Sequence, residues 1–452
     1  MLFWARPTPI VLIASLLAVA PAWGDESPPD QPPSLWDRDT LTGDWWGVRT
    51  MLNDRGVALG ATETSELLGA VDGPRGSGAV YEGRLEVDLD LDLEKLVGIS
   101  DAVIHANAYQ IHGRALSANY LGANVMTASN IEAARATRLF DLWFQKGFFD
   151  AALSVRIGQI AADDEFATSQ YAGTFVNATF GWPGLASANL PSGGPAYPIA
   201  APGIRVKGAI TDAISIQAAL MDGDPAGPGT GGDPSGTAFN FGDGALMIAE
   251  ASYAPQSDNA SPNWPTTYKL GAWFHTGTFD DQRRDRAGLS LADPAAIGKP
   301  LLHRHDAEIY AVVDQVLYRA GDADDRGVGG FVRAGIAPGD QNLIALYLDA
   351  GISWKGPLDI RPDDALGIAF AYAQISGAAA GLDRDLHRFG NPFVPVRDFE
   401  GMIEVTYQAS LAPWWSIQPD MQYILHPTPA SGAPRSLADH AAIIGLRSSV
   451  RF

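Results

Sequence analysis

The chain contains no cysteine, so neither a disulfide framework nor a thiolate metal site can hold it together. Beyond its first 24 residues it has no run of about 18 apolar residues, which excludes a membrane-spanning helix. Charge is scarce at 18% of residues, and positive charge is the scarcer sign, with 31 Lys and Arg against 52 Asp and Glu. A formal net charge of −21 argues against nucleic acid or anionic lipid headgroups as partners. No Gly-x-Ser-x-Gly elbow, Walker loop or His-Glu-x-x-His motif occurs, so motif spacing assigns no catalytic residue, cofactor or metal. Turn formers, in contrast, are plentiful: 49 Gly and 31 Pro in 452 residues. That length fits two or three ordinary domains or one large barrel.

Residues 1–24 read as a secretory signal, with Arg6 before the apolar run "IVLIASLLAVA" and small residues for cleavage in "APAWG", after Ala22 or Gly24. Losing Arg6 takes the net charge from −21 to −22. Residues 25–56 form a proline-rich leader, "DESPPDQPPSL", followed by a short helix in "LTGDWWGVRTMLNDRGV". There Asp44 or Thr42 is the cap, Val48, Met51 and Leu52 make the apolar stripe, and Gly56 is the stop.

From Val57 onward the dominant period is two. In "GRLEVDLDLDLEKL" (83–96), Leu85, Val87, Leu89, Leu91 and Leu93 alternate with Arg84, Glu86, Asp88, Asp90 and Asp92. A helix would smear both sets around its cylinder, whereas a strand sorts them onto two faces. Similar alternation recurs in "LSVRIG", "IRVKGAI", "YKLGAWFH", "FEGMIEVTYQASL" and "SIQPDMQYILH", and about sixteen such segments follow one another between turn residues. Pro419 should mark a bulge or a local break. Trp143, Trp354, Trp414 and Trp415 lie near segment ends, where a barrel's interfacial aromatic belts belong. The final strand ends on Phe452, the terminal aromatic that outer-membrane assembly machinery recognises. An export signal, period two and this ending favour an all-β, transmembrane antiparallel β-barrel over a soluble sandwich. Residues 57–452 form that barrel in the outer membrane of a Gram-negative-type envelope, with leucines toward lipid and charges toward a water-filled lumen. A homo-oligomer is left open.

Several stretches resemble the carbohydrate-selective outer-membrane porins of the OprB type: "LTGDWWGVRT" (41–50), "YEGRLEVDLDLDLEKLVG" (81–98), "RIGQIAADDEF" (156–166), "FVNATFGWPG" (175–184), "PAYPIAAPGIRVKG" (195–208) and "MDGDP" (221–225). They span nearly the whole mature chain in order. The resemblance implies a sixteen-stranded barrel, a short N-terminal helix and passive diffusion of small neutral carbohydrates. The chain departs from the family at Trp46, where the family reads Gly.

Sugar passage needs donors and acceptors together, because each hydroxyl exchanges water for wall contacts. Strand phase supplies Arg84, Glu86, Asp88, Asp90, Arg156, Arg205, Lys207, Glu250 and Glu404 as lumen residues. The segment 161–203 has few strand signals and is expected either to fold into the barrel as a constriction loop, with Asp163, Asp164, Glu165 and Phe166 near its start, or to cap it externally. "HRHDAE" (303–308) reads as a solvated loop rather than a metal site, and the Asp/Gly-rich stretch 222–244 lacks the ligand spacing of a Ca²⁺ loop. A general cation-preferring porin is the alternative within transport, and an outer-membrane hydrolase the alternative outside it.

Overall fold

The structure, a computed structural model, describes residues 34–122, 125–226, 234–239, 241–255, 266–320, 326–428 and 439–452. The signal and most of the proline-rich leader therefore lie outside the described residues, as does part of the 222–244 stretch.

Among the described residues sixteen strands close into one antiparallel barrel. In chain order they are β1 Val57–Asp72, β2 Gly78–Asp92, β3 Ala102–Gly113, β4 Ala136–Phe148, β5 Leu153–Ile160, β6 Ala201–Ala209, β7 Ile214–Asp222 and β8 Ala245–Tyr253. The second half comprises β9 Thr267–Asp285, β10 Pro300–Arg319, β11 Gly327–Ile336, β12 Ile344–Lys355, β13 Ala365–Ile375, β14 Phe399–Ala412, β15 Trp415–Leu425 and β16 His440–Arg451. Each strand pairs with its sequence neighbours, and β1 closes the ring against β16. One end carries short turns such as 149–152 and 413–414. The other carries the long connections 114–135, 161–200 and 376–398, the asymmetry of outer-membrane barrels.

Phase follows the alternation. On β9, Leu270 is 61% exposed on the outer wall while Trp273 on the inner wall is 2% exposed. On β2, Tyr81 and Val87 face out and Glu82 is buried inside. β4 changes phase within itself: its pairing with β3 shifts between Asn107 and Ala108, so the bulge at Phe140 turns both Phe140 and Asp141 inward. With Leu142 and Phe144 exposed outside, Trp143 points into the lumen rather than joining an interfacial belt. Trp354 does face outward, and Trp414 stacks between Trp36 and Trp415 at the short-turn end, with ring centroids 6.2 and 5.8 Å away. At Pro419 the ladder to β14 lapses between the pairs Thr406–Asp420 and Ala409–Ile417 without changing register, and the Thr406 hydroxyl donates to the Pro419 carbonyl (3.3 Å).

The N-terminal helix α1 (Val48–Asp54) holds the whole apolar stripe but starts later than a cap at Asp44 or Thr42 implies, with Gly47 at its cap. Asp44 instead accepts from the Thr50 backbone N–H (2.8 Å) and hydroxyl (2.9 Å). Trp46 sits at φ 58° with its side chain fully exposed. Glycine is favoured in that left-handed region, and it is the residue that the resemblance leads one to expect there. The segment ties the barrel's closure: Leu41 N–H donates to the Arg451 carbonyl and Arg49 Nη2 to that of Phe452, each at 2.8 Å.

"HRHDAE" lies within β10 rather than in a loop, because β9 and β10 extend well beyond their neighbours at the long-loop end. Its side chains are engaged by protein groups: His303 with Asp281 (2.9 Å), Asp306 with the Asn342 amide (2.9 Å), and Glu308 with Trp273 Nε1 (2.6 Å).

Because Leu270 faces hydrocarbon, Leu270→Arg should cost about 2–4 kcal/mol of folding stability if the site lies near the bilayer midplane. Denaturant titration of refolding into lipid vesicles measures this, and an unchanged midpoint would contradict the assigned phase.

Candidate functional site: a lumen filled from one side

A loop inside a barrel must find partners for its backbone polar groups, since an unpaired buried N–H or C=O costs about as much as a lost hydrogen bond. Residues 161–200 lie inside the barrel, and inward carboxylates of the wall meet that need. Glu250 accepts from Ala167 N–H (2.9 Å), Asp314 from Gln170 N–H (3.2 Å), and Glu404 from the N–H groups of Val176 and Asn177 (2.6 and 3.0 Å). The loop's carbonyls are served by Arg333, which spends all five of its donors. Nη1 bonds to the carbonyls of Ala167 and Gly181, Nη2 to that of Thr179 and to Asp349, and Nε to Asp349. Strand glycines make room for the loop's rings. A Cβ on Gly329 would lie 1.9 Å from the Tyr171 ring, and one on Gly367 2.8 Å from Phe175.

The described part of the 114–135 connection also folds inward, which sequence reasoning missed. Glu400 accepts from the N–H groups of Val125 and Met126 (3.0 and 2.6 Å), and the two loops bond to each other through Asn130 N–H to Val176 O and Ala178 N–H to Thr127 O. Leu116, Leu121 and Met126 then pack with Phe175, Phe180 and Leu185 against wall residues Phe331, Tyr347 and Met402 in one apolar core. In the 376–398 connection, helix α2 (Gly377–Arg388) is capped by Ser376 and pinned by the Asp383–Arg397 ion pair (2.8 Å).

The lumen is therefore filled from the side of β7–β16, where inward residues such as Gln217, Ala219 and Met221 are buried under the loop, and its accessible polar wall runs along β2–β6. Arg84 pairs with Glu86 (2.8 Å) and lies over the rings of Tyr109 and Tyr197, at 4.7 and 5.1 Å. Asn107 donates to Glu86 (2.8 Å) and Asp88 (2.5 Å), and Asp90 meets His105 Nδ1 (2.7 Å). His105 stacks on Trp143 (4.8 Å), whose ring carries the Arg156 guanidinium at 3.6 Å. Glu165 binds Arg156 and Arg205, both at 2.7 Å. Lys207 is exposed on the same wall. Asp163 accepts from Tyr197 N–H (2.9 Å), and Asp164 is exposed beside Asp141. Burial pushes the Asp163 carboxyl up to about 7, the adjacent Asp164 adding to the shift.

The candidate residues thus divide. Arg84, Glu86, Asp88, Asp90, Arg156, Arg205, Lys207, Asp163, Asp164 and Glu165 gather along one wall. Glu250 and Glu404 do point inward, but the loop covers them and they serve as its anchors, while Phe166 is packed at 1% exposure among apolar neighbours. His105, Asn107, Tyr109, Asp141, Gln145 and Tyr197 went unnoticed in the sequence, and Trp143 was expected in an interfacial belt instead. The alternation in "AVIHANAYQIHG" signals the three on β3, but the bulge on β4 hides Asp141.

An apolar outer wall around a polar, loop-narrowed lumen defines a diffusion porin of the outer membrane. The match of a family profile over residues 76–452 goes further: the chain belongs to the carbohydrate-selective porin, OprB family, and so is an outer-membrane channel for passive carbohydrate diffusion. It is 24% identical to Porin B of Pseudomonas aeruginosa over 443 residues, 93% of this chain and 92% of that one. It is 23% identical to the putative porin QuiX of Acinetobacter baylyi, over 92% of this chain and 94% of that one. A high-pH structure of Pseudomonas putida OprB superposes with a TM-score of 0.81 at 25% identity, covering 92% of this chain and 99% of that one.

Replacing Arg333 with Ala should strand Asp349 and three loop carbonyls, at a cost of about 3–5 kcal/mol for a broken buried pair. The expected result is a lower thermal midpoint together with a larger, noisier single-channel conductance. Wild-type conductance in a destabilised variant would show that Arg333 does not hold the loop.

Proposed function

We propose that solutes travel along the β2–β6 wall and are selected where Arg84, Arg156 and Arg205 face Glu86, Asp88, Asp163, Asp164 and Glu165, with monosaccharides such as glucose and small polyols as the preferred cargo. The observation that carries this reading is the clamping of Arg156 between the Trp143 ring (3.6 Å) and Glu165 (2.7 Å). A guanidinium held flat keeps a fixed fork of donors with little entropy left to lose, while the neighbouring carboxylates supply acceptors. A sugar hydroxyl needs both. Contacts to such a wall replace hydration without holding the solute tightly, which a channel requires. Both faces of Trp143 are occupied, by His105 and Arg156, so the ring supports the arginine rather than serving as the sliding surface for sugar.

The reading assigns no hydrolytic role. The Ser65 hydroxyl, which donates to Glu63 (3.0 Å) and meets Tyr81 (3.1 Å), lies on the outer wall, away from the solute path.

The test is planar-bilayer conductance titrated with glucose. Saturable block is expected, with Arg156→Ala raising the half-blocking concentration on the order of tenfold, as for loss of a charged hydrogen bond. Strong cation selectivity with no sugar block would favour the general cation porin and overturn the proposal.

A further inference from the structure

The outer wall is not evenly clothed with side chains. Where β11 carries Gly330 and β12 carries Ala350, an apolar cleft of about 410 Å³ opens, bounded by Leu317 and Gln315 of β10, Ile352 of β12 and Ile368 of β13. From β10 to β13 it crosses three inter-strand gaps of about 4.8 Å, or about 14 Å of wall. Pairing fixes its depth. Tyr318, Val328 and Trp354 form an outward row near the short-turn end, and Tyr318 and Trp354, 59% and 40% exposed, mark the aromatic belt of the periplasmic interface. Gln315, Gly330 and Ile352 form the next outward row toward the bilayer centre, the depth at which the acyl chains of the inner leaflet begin. Gln315, the one polar side chain of the lining, is engaged by protein: it accepts from the Tyr268 hydroxyl (2.8 Å) and donates to the Val316 carbonyl (3.1 Å). An occupant of the cleft therefore has to supply hydrocarbon rather than hydrogen bonds.

We infer that the cleft is a lipid site, in which one acyl chain of an inner-leaflet phospholipid is held as a resident component of the wall. The cleft is continuous with the surface that already meets hydrocarbon, and a void against that surface would forfeit dispersion contacts on one side. Strands in such barrels tilt by about 35–45°, so a cleft across them runs obliquely, and a chain entering from the belt can lie along it. The convex wall of a second barrel would touch along a line and leave the cleft open. The wall behind is thin: Gly329 faces inward, where a Cβ would lie 1.9 Å from the Tyr171 ring, and Tyr171 and Phe331 belong to the core formed by loop and wall. A chain seated over Gly330 thus backs the strand against which the loop packs. The inference is independent of the route taken by the solute.

The experiment is native mass spectrometry of the full barrel released from vesicles of phosphatidylethanolamine and phosphatidylglycerol, for the wild type, Gly330→Leu and Ala350→Leu. Both substitutions fill the floor of the cleft from the outer face, and Ala350, which already carries a Cβ, serves if Gly330→Leu does not close its barrel. Closure is checked by heat-modifiable migration on gels. The wild type should retain one phospholipid after the surrounding lipid has been stripped. The folded variants should lower the lipid-bound fraction on the order of tenfold, as for about two methylenes no longer buried. A wild type that retains no phospholipid overturns the inference, as does wild-type retention in folded Ala350→Leu. A dimer mass that is present in the wild type and lost in the variants also overturns it, since the cleft would then seat a second copy of the chain.

Discussion

The structure depends on satisfying the backbone of chain that has been brought inside a barrel. Strand ladders satisfy the wall, but residues 161–200 and 114–135 contain little regular structure and still lie within the lumen. Their N–H groups are met by inward carboxylates, namely Glu250, Asp314, Glu400 and Glu404, and their carbonyls by Arg333. Hydrogen bonds to charged groups contribute about 1.5–3 kcal/mol each, and an anchor without its loop would be a buried, unpartnered charge. Loop and wall are therefore mutually required, and the packed core of Phe175, Phe180 and Phe331 forms only when both are in place.

The proposed selectivity rests on filling one side of the lumen. A barrel of this size would otherwise hold a broad aqueous passage. With β7–β16 covered, the open space left for a solute lies along β2–β6, where donors and acceptors alternate over a few ångströms. The arginines there are positioned by aromatic rings on one side and a loop carboxylate on the other, so the loop that narrows the pore also orients the groups it narrows toward. Fold, anchoring and the proposed selectivity thus share the same residues around Glu165.

Much of the barrel was legible because a period of two records which side of a wall each residue occupies. Leu270 against Trp273, and Val87 against Glu86, sort correctly from sequence alone, and the assigned phase put Arg84, Arg156 and Arg205 inside. What could not be read was the partner of an inward residue. Glu404 and Glu86 look alike in their strands, yet one holds two loop N–H groups and the other faces the path, a difference set by chain hundreds of residues away. Trp143 failed for a second reason: proximity to a segment end suggested an interfacial belt, whereas its phase in β4 turns it into the lumen. The helix after Ser376 went unread, and its place against Arg283, through Asp385 (2.7 Å), and against Arg397, through Asp383 (2.8 Å), had no local signature.

The absence of native cysteine makes an off-centre path along β2–β6 directly measurable. Single cysteines at Asp88 and Lys207 on the open wall, and at Ala371 and Thr406 on the covered wall, can be treated with a charged thiol reagent during single-channel recording. The account predicts stepwise loss of current for Asp88→Cys and Lys207→Cys, with no modification of Ala371→Cys or Thr406→Cys. Equally rapid reaction at all four positions would contradict it, since solvent would then reach the whole circumference of the lumen.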